Sequence, residues 1–327
     1  MRDPAFWWRK PGLAAGLLAP LAACYGAIAA RRMARPGAQA GIPVLCVGNF
    51  TLGGAGKTPA VMSFARMLQA EGERPFCVSR GYGGSAEGPT LVNAQGDSAA
   101  RVGDEALLLA RVAPTVVARD RVTGAQFAKA QGATVVILDD GLQNPSLAKD
   151  FTIAVVDGRR GIGNARVFPA GPLRAPLASQ LARCDALLIV GGGTGAIAAG
   201  GGKPVFHGRL VPDAAAVAAL KNKNVLAVAG IGDPEKFFVT LTQAGIAIAQ
   251  RQAFGDHHRF TAQEAAALLA RADHDRLTLV TTEKDCARMA GEPALAALAA
   301  RAQALPVTLA MDEADELRKL VLAKLRR

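Results

Sequence analysis

Gly53-Gly54-Ala55-Gly56-Lys57-Thr58 decides the fold, because it stands between an apolar run at residues 42–47 and a helical pattern at residues 59–69. A buried strand, a glycine-rich turn and a helix, in that order, build a phosphate-binding loop. Glycines let successive backbone N–H groups turn inward onto phosphate oxygens, and the helix N-terminus adds positive potential. Lys57 is placed to reach the β- and γ-phosphates of a nucleotide, and Thr58 to offer its hydroxyl to Mg²⁺. Thr51, Leu52 and the six residues after them form the candidate nucleotide-binding segment. Thr51 stands where the strict pattern has its first glycine. The competing explanation, a glycine-rich turn with an incidental Lys-Thr, leaves the flanking strand and helix unexplained.

Working outward, Val135-Val136-Ile137-Leu138-Asp139-Asp140 is an apolar, β-branched run ending in two carboxylates. Beside a phosphate-loop strand, such a run holds Mg²⁺ directly or through water. One of Asp139 and Asp140 is expected to face the metal. The other is free to order a water, a base or a second cation, or simply to cap the next element.

Short apolar runs recur at residues 76–79, 115–118, 152–156 and 186–190, alternating with helical patterns at 104–112 and 124–131. That alternation predicts an α/β fold, a doubly wound and mostly parallel sheet of the P-loop NTPase type. Residues 191–202 are rich in Gly and Ala and read as a loop near a boundary. A second, smaller α/β block follows, with strands near 205–210, 225–229 and 277–280 and helices near 235–243 and 262–271. The expected organisation is an N-terminal membrane-associated helix (1–36), a P-loop domain (37–204) and a smaller C-terminal α/β domain (205–327). The basic amphipathic helix at 312–327 is placed to pack back on the first domain.

Residues 12–30 carry no charge; Trp7, Trp8, Arg9 and Lys10 precede them, and Arg31, Arg32 and Arg35 follow. About 20 apolar residues match the thickness of a bilayer, and Trp favours its headgroup level. Pro20 interrupts the run and both flanks are positive, so a helix lying in the interface fits as well as one that spans. A buried helix in a soluble protein is the plainer alternative. A cleaved signal peptide conflicts with a loop that needs cytoplasmic nucleotide.

The chain of 327 residues is half hydrophobic, with a formal charge of +11, which suits an anionic partner. Five scattered cysteines, without a CxxC pair, argue against a disulfide framework or a zinc site and for a reducing cytoplasm. Aromatic content is low and no nucleic-acid module is present, so nucleic acid is not an expected partner. Nothing calls for an obligate protein partner.

Several further blocks carry a resemblance. Val47-Gly48-Asn49-Phe50-Thr51 with the loop, Ser79-Arg80-Gly81-Tyr82-Gly83-Gly84, Val102-Gly103-Asp104-Glu105 and Asp139-Asp140-Gly141-Leu142-Gln143 stand in that order. They are followed by Phe168-Pro169-Ala170-Gly171-Pro172-Leu173-Arg174, Gly230-Ile231-Gly232-Asp233-Pro234, Asp256-His257-His258-Arg259-Phe260 and Thr281-Thr282-Glu283-Lys284-Asp285. Together they resemble the tetraacyldisaccharide 4′-kinases of lipid A biosynthesis over nearly the whole chain.

The resemblance implies transfer of the γ-phosphate of ATP, with Mg²⁺, to the 4′-hydroxyl of a tetraacyldisaccharide 1-phosphate. It implies the cytoplasmic face of a bacterial inner membrane, a lipid substrate, and a cleft between two α/β domains. A sugar hydroxyl needs a base to accept its proton. In the family a carboxylate of the Gly-Asp-Glu block, paired with a His that orients it or shares the proton, plays that part; the pair falls here on Asp104 and either His257 or His258, with His257 favoured, while on local grounds alone Asp104 reads as a helix cap. Arg174 is expected to neutralise charge on the transferring phosphoryl group. Arg80, Tyr82 and Arg121 are expected at the substrate, and Gln143 at the metal. The role of the 281–285 block stays open. The family's usual His and Glu are replaced by Asn144 and Ala175.

The rival reading is a membrane-associated P-loop ATPase switch of the partitioning type. That class carries a further lysine at the start of its loop, where this chain has Leu52, and has no use for the Asp-His-His block.

Overall fold

The structure is a computed structural model describing residues 3–193 and 201–326. Its strands are β1 (Val44–Gly48), β2 (Pro75–Ser79), β3 (Thr90–Leu91), β4 (Thr115–Val117), β5 (Val135–Asp139), β6 (Phe151–Asp157), β7 (Ala186–Val190) and β8 (Val205–Pro212). They continue with β9 (Val225–Ala229), β10 (Ile248–Ala253), β11 (Thr278–Thr281), β12 (Gln303–Ala304) and β13 (Val307–Met311).

Among the described residues nine strands form one sheet in the order β13-β8-β7-β6-β1-β5-β2-β4-β3. From β8 to β4 every pairing is parallel, and only the two edge strands, β13 and β3, run antiparallel. The central strands are buried on both faces, which is why they read as unbroken apolar runs rather than alternating ones. On one face Leu45, Val47, Ile137 and Ile153 pack with Phe64 and Leu68 of the Lys57–Ala70 helix and with Leu317 and Val321 of the Ala314–Leu325 helix. On the other, Val44, Cys46, Val136 and Leu138 pack with Ala125 and Ala128 of the Arg121–Ala130 helix. The doubly wound sheet expected from the sequence is present, and the final helix does lie on it.

A second sheet, β10-β9-β11-β12, is wholly parallel. The Pro234–Gln243 helix covers one face through Phe237, Phe238 and Leu241. The Ala262–His274 helix covers the other through Ala265, Leu268 and Ala272. The change of sheet does not fall at residue 204. β8 pairs with β7 in the first sheet, Leu187 beside Val205, and β13 returns to pair with β8. Composition pointed to the Gly/Ala-rich run as a boundary, but pairing partners set sheet membership. Most of that run, residues 194–200, lies outside the described residues.

Pro20 divides the N-terminal apolar run into a Leu13–Leu17 helix and an Ala19–Met33 helix. Among the described residues no helix is long and apolar enough to cross a membrane. The segment docks by Trp7, whose Nε1 donates to the Pro169 carbonyl at 3.1 Å, and by Tyr25, whose ring meets Phe168 edge-on. On the other side Leu13 (90 % exposed), Leu17 (82 %), Leu21 (61 %) and Ile28 (70 %) follow one another at helical spacing and face outward.

Candidate active site

The phosphate loop leaves the C-terminal end of β1 and enters the Lys57–Ala70 helix. Gly53 and Gly56 have φ of +95° and +91°, the left-handed region that a side chain would strain. Asn49, fully buried, fastens the loop: its side-chain nitrogen donates to the carbonyls of Thr51 (2.7 Å) and Gly53 (3.3 Å). Its oxygen accepts from Lys57 Nζ at 3.0 Å. Asn49 was not among the expected site residues, although it stands in the block that carries the resemblance.

Val47 pairs with Asp139 across parallel β1 and β5, so the Asp139-Asp140 pair opens at the same sheet end as the loop. The two carboxylates have opposite surroundings. Asp140 lies 3.6 Å from Lys57 Nζ and accepts from Arg174 Nη1 at 2.8 Å. Burial raises its pKa, but Lys57 and Arg174 outweigh burial and hold it well below the usual carboxylate range. Among the described residues the Asp139 side chain accepts from Ser79 Oγ alone, at 3.2 Å, and its Oδ1 is buried with no partner. Burial, reinforced by Glu105 and Asp140, pushes its pKa up to about 7. Arg174 also donates from Nε to the Thr51 carbonyl at 3.0 Å, so it ties the loop to Asp140.

Glu105 is a second residue absent from the expected site set; a carboxylate in the first turn of a helix is ordinary on local grounds and does not single itself out. Thr58 Oγ1 lies 3.5 Å from its Oε1 and Lys284 Nζ 2.5 Å away. Burial works against its ionisation; Lys284 and Lys57 outweigh burial and lower its pKa.

Its neighbour Asp104 is 3 % exposed. Asp104 Oδ1 lies 3.4 Å from His257 Nδ1, and Arg288 donates to Oδ2 from Nε (2.8 Å) and Nη2 (2.5 Å). His257 sits in the left-handed region at φ +53°, with its N–H held by Asp256 Oδ1 at 3.0 Å. That turn sends the two adjacent imidazoles apart. His258 is stacked on Phe254, ring centroids 4.5 Å apart, and its Nε2 lies 2.9 Å from Glu264. The structure therefore brings His257 to Asp104 and leaves His258 within the second body.

A cavity of about 710 Å³ collects these groups. Residues 52–58, Asp139, Asp140, Arg174, Glu105, His257 and Lys284 line it, together with Arg80, Tyr82, Arg121 and Gln143. Asp104 lies behind the wall, and His257 is the member of the pair that faces the space. Tyr82 covers that imidazole, its ring centroid 4.8 Å away. Arg121 is buried, donating from Nη1 to the Ala118 carbonyl at 2.9 Å, and its Nε has no partner among the described residues. Gln143 uses its side-chain nitrogen on the Asn49 carbonyl and on Gln180, both at 2.7 Å, so it braces the loop's entry.

The second body closes the loop's outer side. A Cβ on Gly232 would lie 3.0 Å from the Gly54 nitrogen, a tight approach of the second body to the loop backbone. Arg160–Asp233 (3.0 Å) and Lys236–Asp157 (2.9 Å) join the two bodies nearby. Of the two departures, Asn144 caps its own turn by accepting from Ser146 N–H at 2.9 Å. Ala175 is fully buried, with its carbonyl accepting from Gln180 at 2.7 Å.

Residues 14–326 match the family model for tetraacyldisaccharide-1-P 4′-kinase. The chain belongs to the tetraacyldisaccharide 4′-kinase family. The tetraacyldisaccharide 4′-kinase of Nitrobacter winogradskyi is 52 % identical over 336 residues, covering 100 % of this chain and 99 % of that protein. That of Rhodopseudomonas palustris strain BisB5 is 53 % identical, covering 99 % and 97 %. A crystal structure of LpxK from Aquifex aeolicus in complex with ATP superposes with a TM-score of 0.74 at 26 % identity, covering 96 % of this chain and 100 % of that one. Membership in the kinase family displaces the partitioning-type ATPase reading.

Proposed function

We infer that the chain is an ATP-dependent kinase that transfers the γ-phosphate to the 4′-hydroxyl of a tetraacyldisaccharide 1-phosphate in lipid A biosynthesis. The observation that carries this reading is one cavity lined by a phosphate loop and by the imidazole of His257, which Asp104 backs, in a chain that matches the 4′-kinases from residue 14 to 326. A hydrolytic switch has no need of a base for a sugar hydroxyl.

In this account the N–H groups of residues 51–58 and the Lys57 ammonium hold the nucleotide phosphates. Arg174, already beside the loop, supplies a fixed guanidinium toward the transferring group. His257 accepts the hydroxyl proton at the cavity wall, while Asp104 behind it orients the ring and balances the imidazolium charge, as in other base–orienter pairs. Arg80, Tyr82 and Arg121, which line the same cavity, are assigned to the acceptor sugar and its phosphate.

Mg²⁺ fits the oxygen donors present. Asp139 Oδ1 is buried and has no partner among the described residues, Glu105 is close enough to raise the Asp139 pKa, and Thr58 Oγ1, 3.5 Å from Glu105 Oε1, lines the same cavity. Among the described residues no cluster of three or more His, Cys, Asp or Glu could enclose a metal unaided. Mg²⁺ ordinarily completes its shell with waters and substrate phosphates. When bound it supplies charge that neutralises the β- and γ-phosphate oxygens.

The outward-facing Leu13, Leu17, Leu21 and Ile28, with basic residues at both ends, support peripheral attachment to the cytoplasmic face of the inner membrane, where the lipid acceptor resides.

The test supplies purified protein in detergent with γ-labelled ATP and a tetraacyldisaccharide 1-phosphate. The label is expected in the lipid. ATP hydrolysis with no label in the lipid overturns the reading and restores the switch.

A further inference from the structure

The 281–285 block has no part in the chemistry described so far, yet its side chains are nearly all committed. Asp285 is fully buried and accepts from Gly230 N–H (3.1 Å), Thr282 Oγ1 (2.6 Å) and Thr281 Oγ1 (3.2 Å). Its other oxygen accepts from Arg288 Nη1 at 2.9 Å. That same Nη1 donates to the Gly230 carbonyl at 2.6 Å. With one edge fixed in this way, the guanidinium presents Nε and Nη2 to a single oxygen of Asp104. The Glu283–Met289 helix that carries Arg288 follows β11 of the small sheet, whereas Asp104 opens the Asp104–Ala110 helix of the large one.

We propose that Arg288, held by Asp285, is a positioning residue for phosphoryl transfer: it fixes the Asp104 carboxylate so that Oδ1 faces His257. This rests on the reading of Asp104 and His257 given above. A carboxylate can rotate about its last bond and offer either oxygen. Two donors on Oδ2 remove that freedom and leave Oδ1 to the imidazole. The anchor is rigid because Asp285 is saturated and Arg288 is itself buried. Lys284, the cation within the block itself, holds the adjacent Glu105. The block thus orients both carboxylates of the Gly-Asp-Glu motif from across the junction between the bodies.

A purely structural cross-brace would show the same contacts, so the test reads coupling to Asp104. Arg288→Gln in the full chain is assayed with labelled ATP and tetraacyldisaccharide 1-phosphate. We expect kcat to fall about 100-fold, as for a misplaced catalytic group, with KM for ATP within about threefold of wild type. Arg288→Lys, which keeps the charge and loses the fork, should recover part of that loss. In an Asp104→Asn background, Arg288→Gln should cost less than about threefold. The proposal is overturned if Arg288→Gln keeps kcat within about threefold of wild type, or if its full loss persists in the Asp104→Asn background. Should Arg288→Gln not fold, Asp285→Asn carries the test: a kcat lowered about fivefold or more at unchanged ATP KM supports the proposal, and an unchanged kcat overturns it. Wild-type protein that puts no label into lipid counts against the kinase reading. A loss confined to the variants concerns Arg288 alone.

Discussion

Asp104 and His257 lie 153 positions apart in the chain, yet Asp104 Oδ1 and His257 Nδ1 stand 3.4 Å apart, the first on a helix of the nine-stranded body and the second on the loop after β10 of the four-stranded one. The pair exists only where the two bodies meet, and the phosphate loop borders the same space. His258, next in sequence, is directed to Glu264 instead.

That divergence separates the two imidazoles experimentally. His257→Ala should lower transfer about 10²–10⁴-fold, the usual range for a lost general base. His258→Ala should keep transfer within about threefold while lowering Tm, since it loses a stacked ring and a hydrogen bond with Glu264 but nothing at the cavity. Steady-state transfer assays with melting curves check both. Equal activity losses in the two variants would contradict the geometry.

Asn49 should matter for the loop before it matters for chemistry. Asn49→Ala removes two donors to loop carbonyls and the acceptor of Lys57, so buried polar groups are left unmet. The cost is expected at about 1–3 kcal/mol per unsatisfied group, seen as a lower Tm, together with weaker ATP binding by calorimetry. An unchanged ATP affinity would show that Asn49 does not shape the loop.

Asp139 predicts a pH signature. Its pKa in the folded chain is raised from 3.8 to about 7, chiefly by burial and then by Glu105 and Asp140. The folded state therefore holds a proton that the unfolded state releases between those values. The contribution of this group is fully present below pH 3.8 and is lost as pH rises toward 7. Asp139→Asn cannot lose a proton, so in metal-free, nucleotide-free protein it should raise Tm at pH 8 by about 2 °C or more and change it little near pH 4. A stabilisation equal at both pH values would exclude the titration of Asp139 as its cause.

The outward stripe on the N-terminal helices predicts the balance of forces at a membrane. Each apolar side chain moved from water into lipid contributes about 1.5–3 kcal/mol, against about 1 kcal/mol for each cation near an anionic surface. Four such side chains outweigh the basic flanks. Leu17→Ser with Leu21→Ser should abolish co-sedimentation with anionic vesicles, whereas raised salt should only weaken it. Complete release by salt alone would assign the attachment to charge.

The phosphate loop was legible because its demands are local: glycines at positive φ, a strand before and a helix after. The parallel sheet was legible because doubly buried strands leave unbroken apolar runs. The choice between His257 and His258 was not, since it depends on one left-handed residue, His257 itself. Arg288 was invisible for a different reason: it acts 184 positions away from Asp104, through contacts that only the docking of two bodies creates. The sheet boundary was missed because β8 and β13 pair with each other and with β7, a fact of topology that the Gly/Ala-rich composition does not carry. Glu105 was overlooked because a carboxylate in a first helical turn has an ordinary explanation.

The most direct test of the account is phosphoryl transfer by Asp104→Asn, with ATP affinity measured on the same preparation. We predict an ATP Kd within about threefold of wild type and a rate of lipid phosphorylation lower by about 10²–10⁴-fold. Transfer within a few-fold of wild type would contradict it, and would reduce Asp104 to the helix cap that local sequence alone suggests.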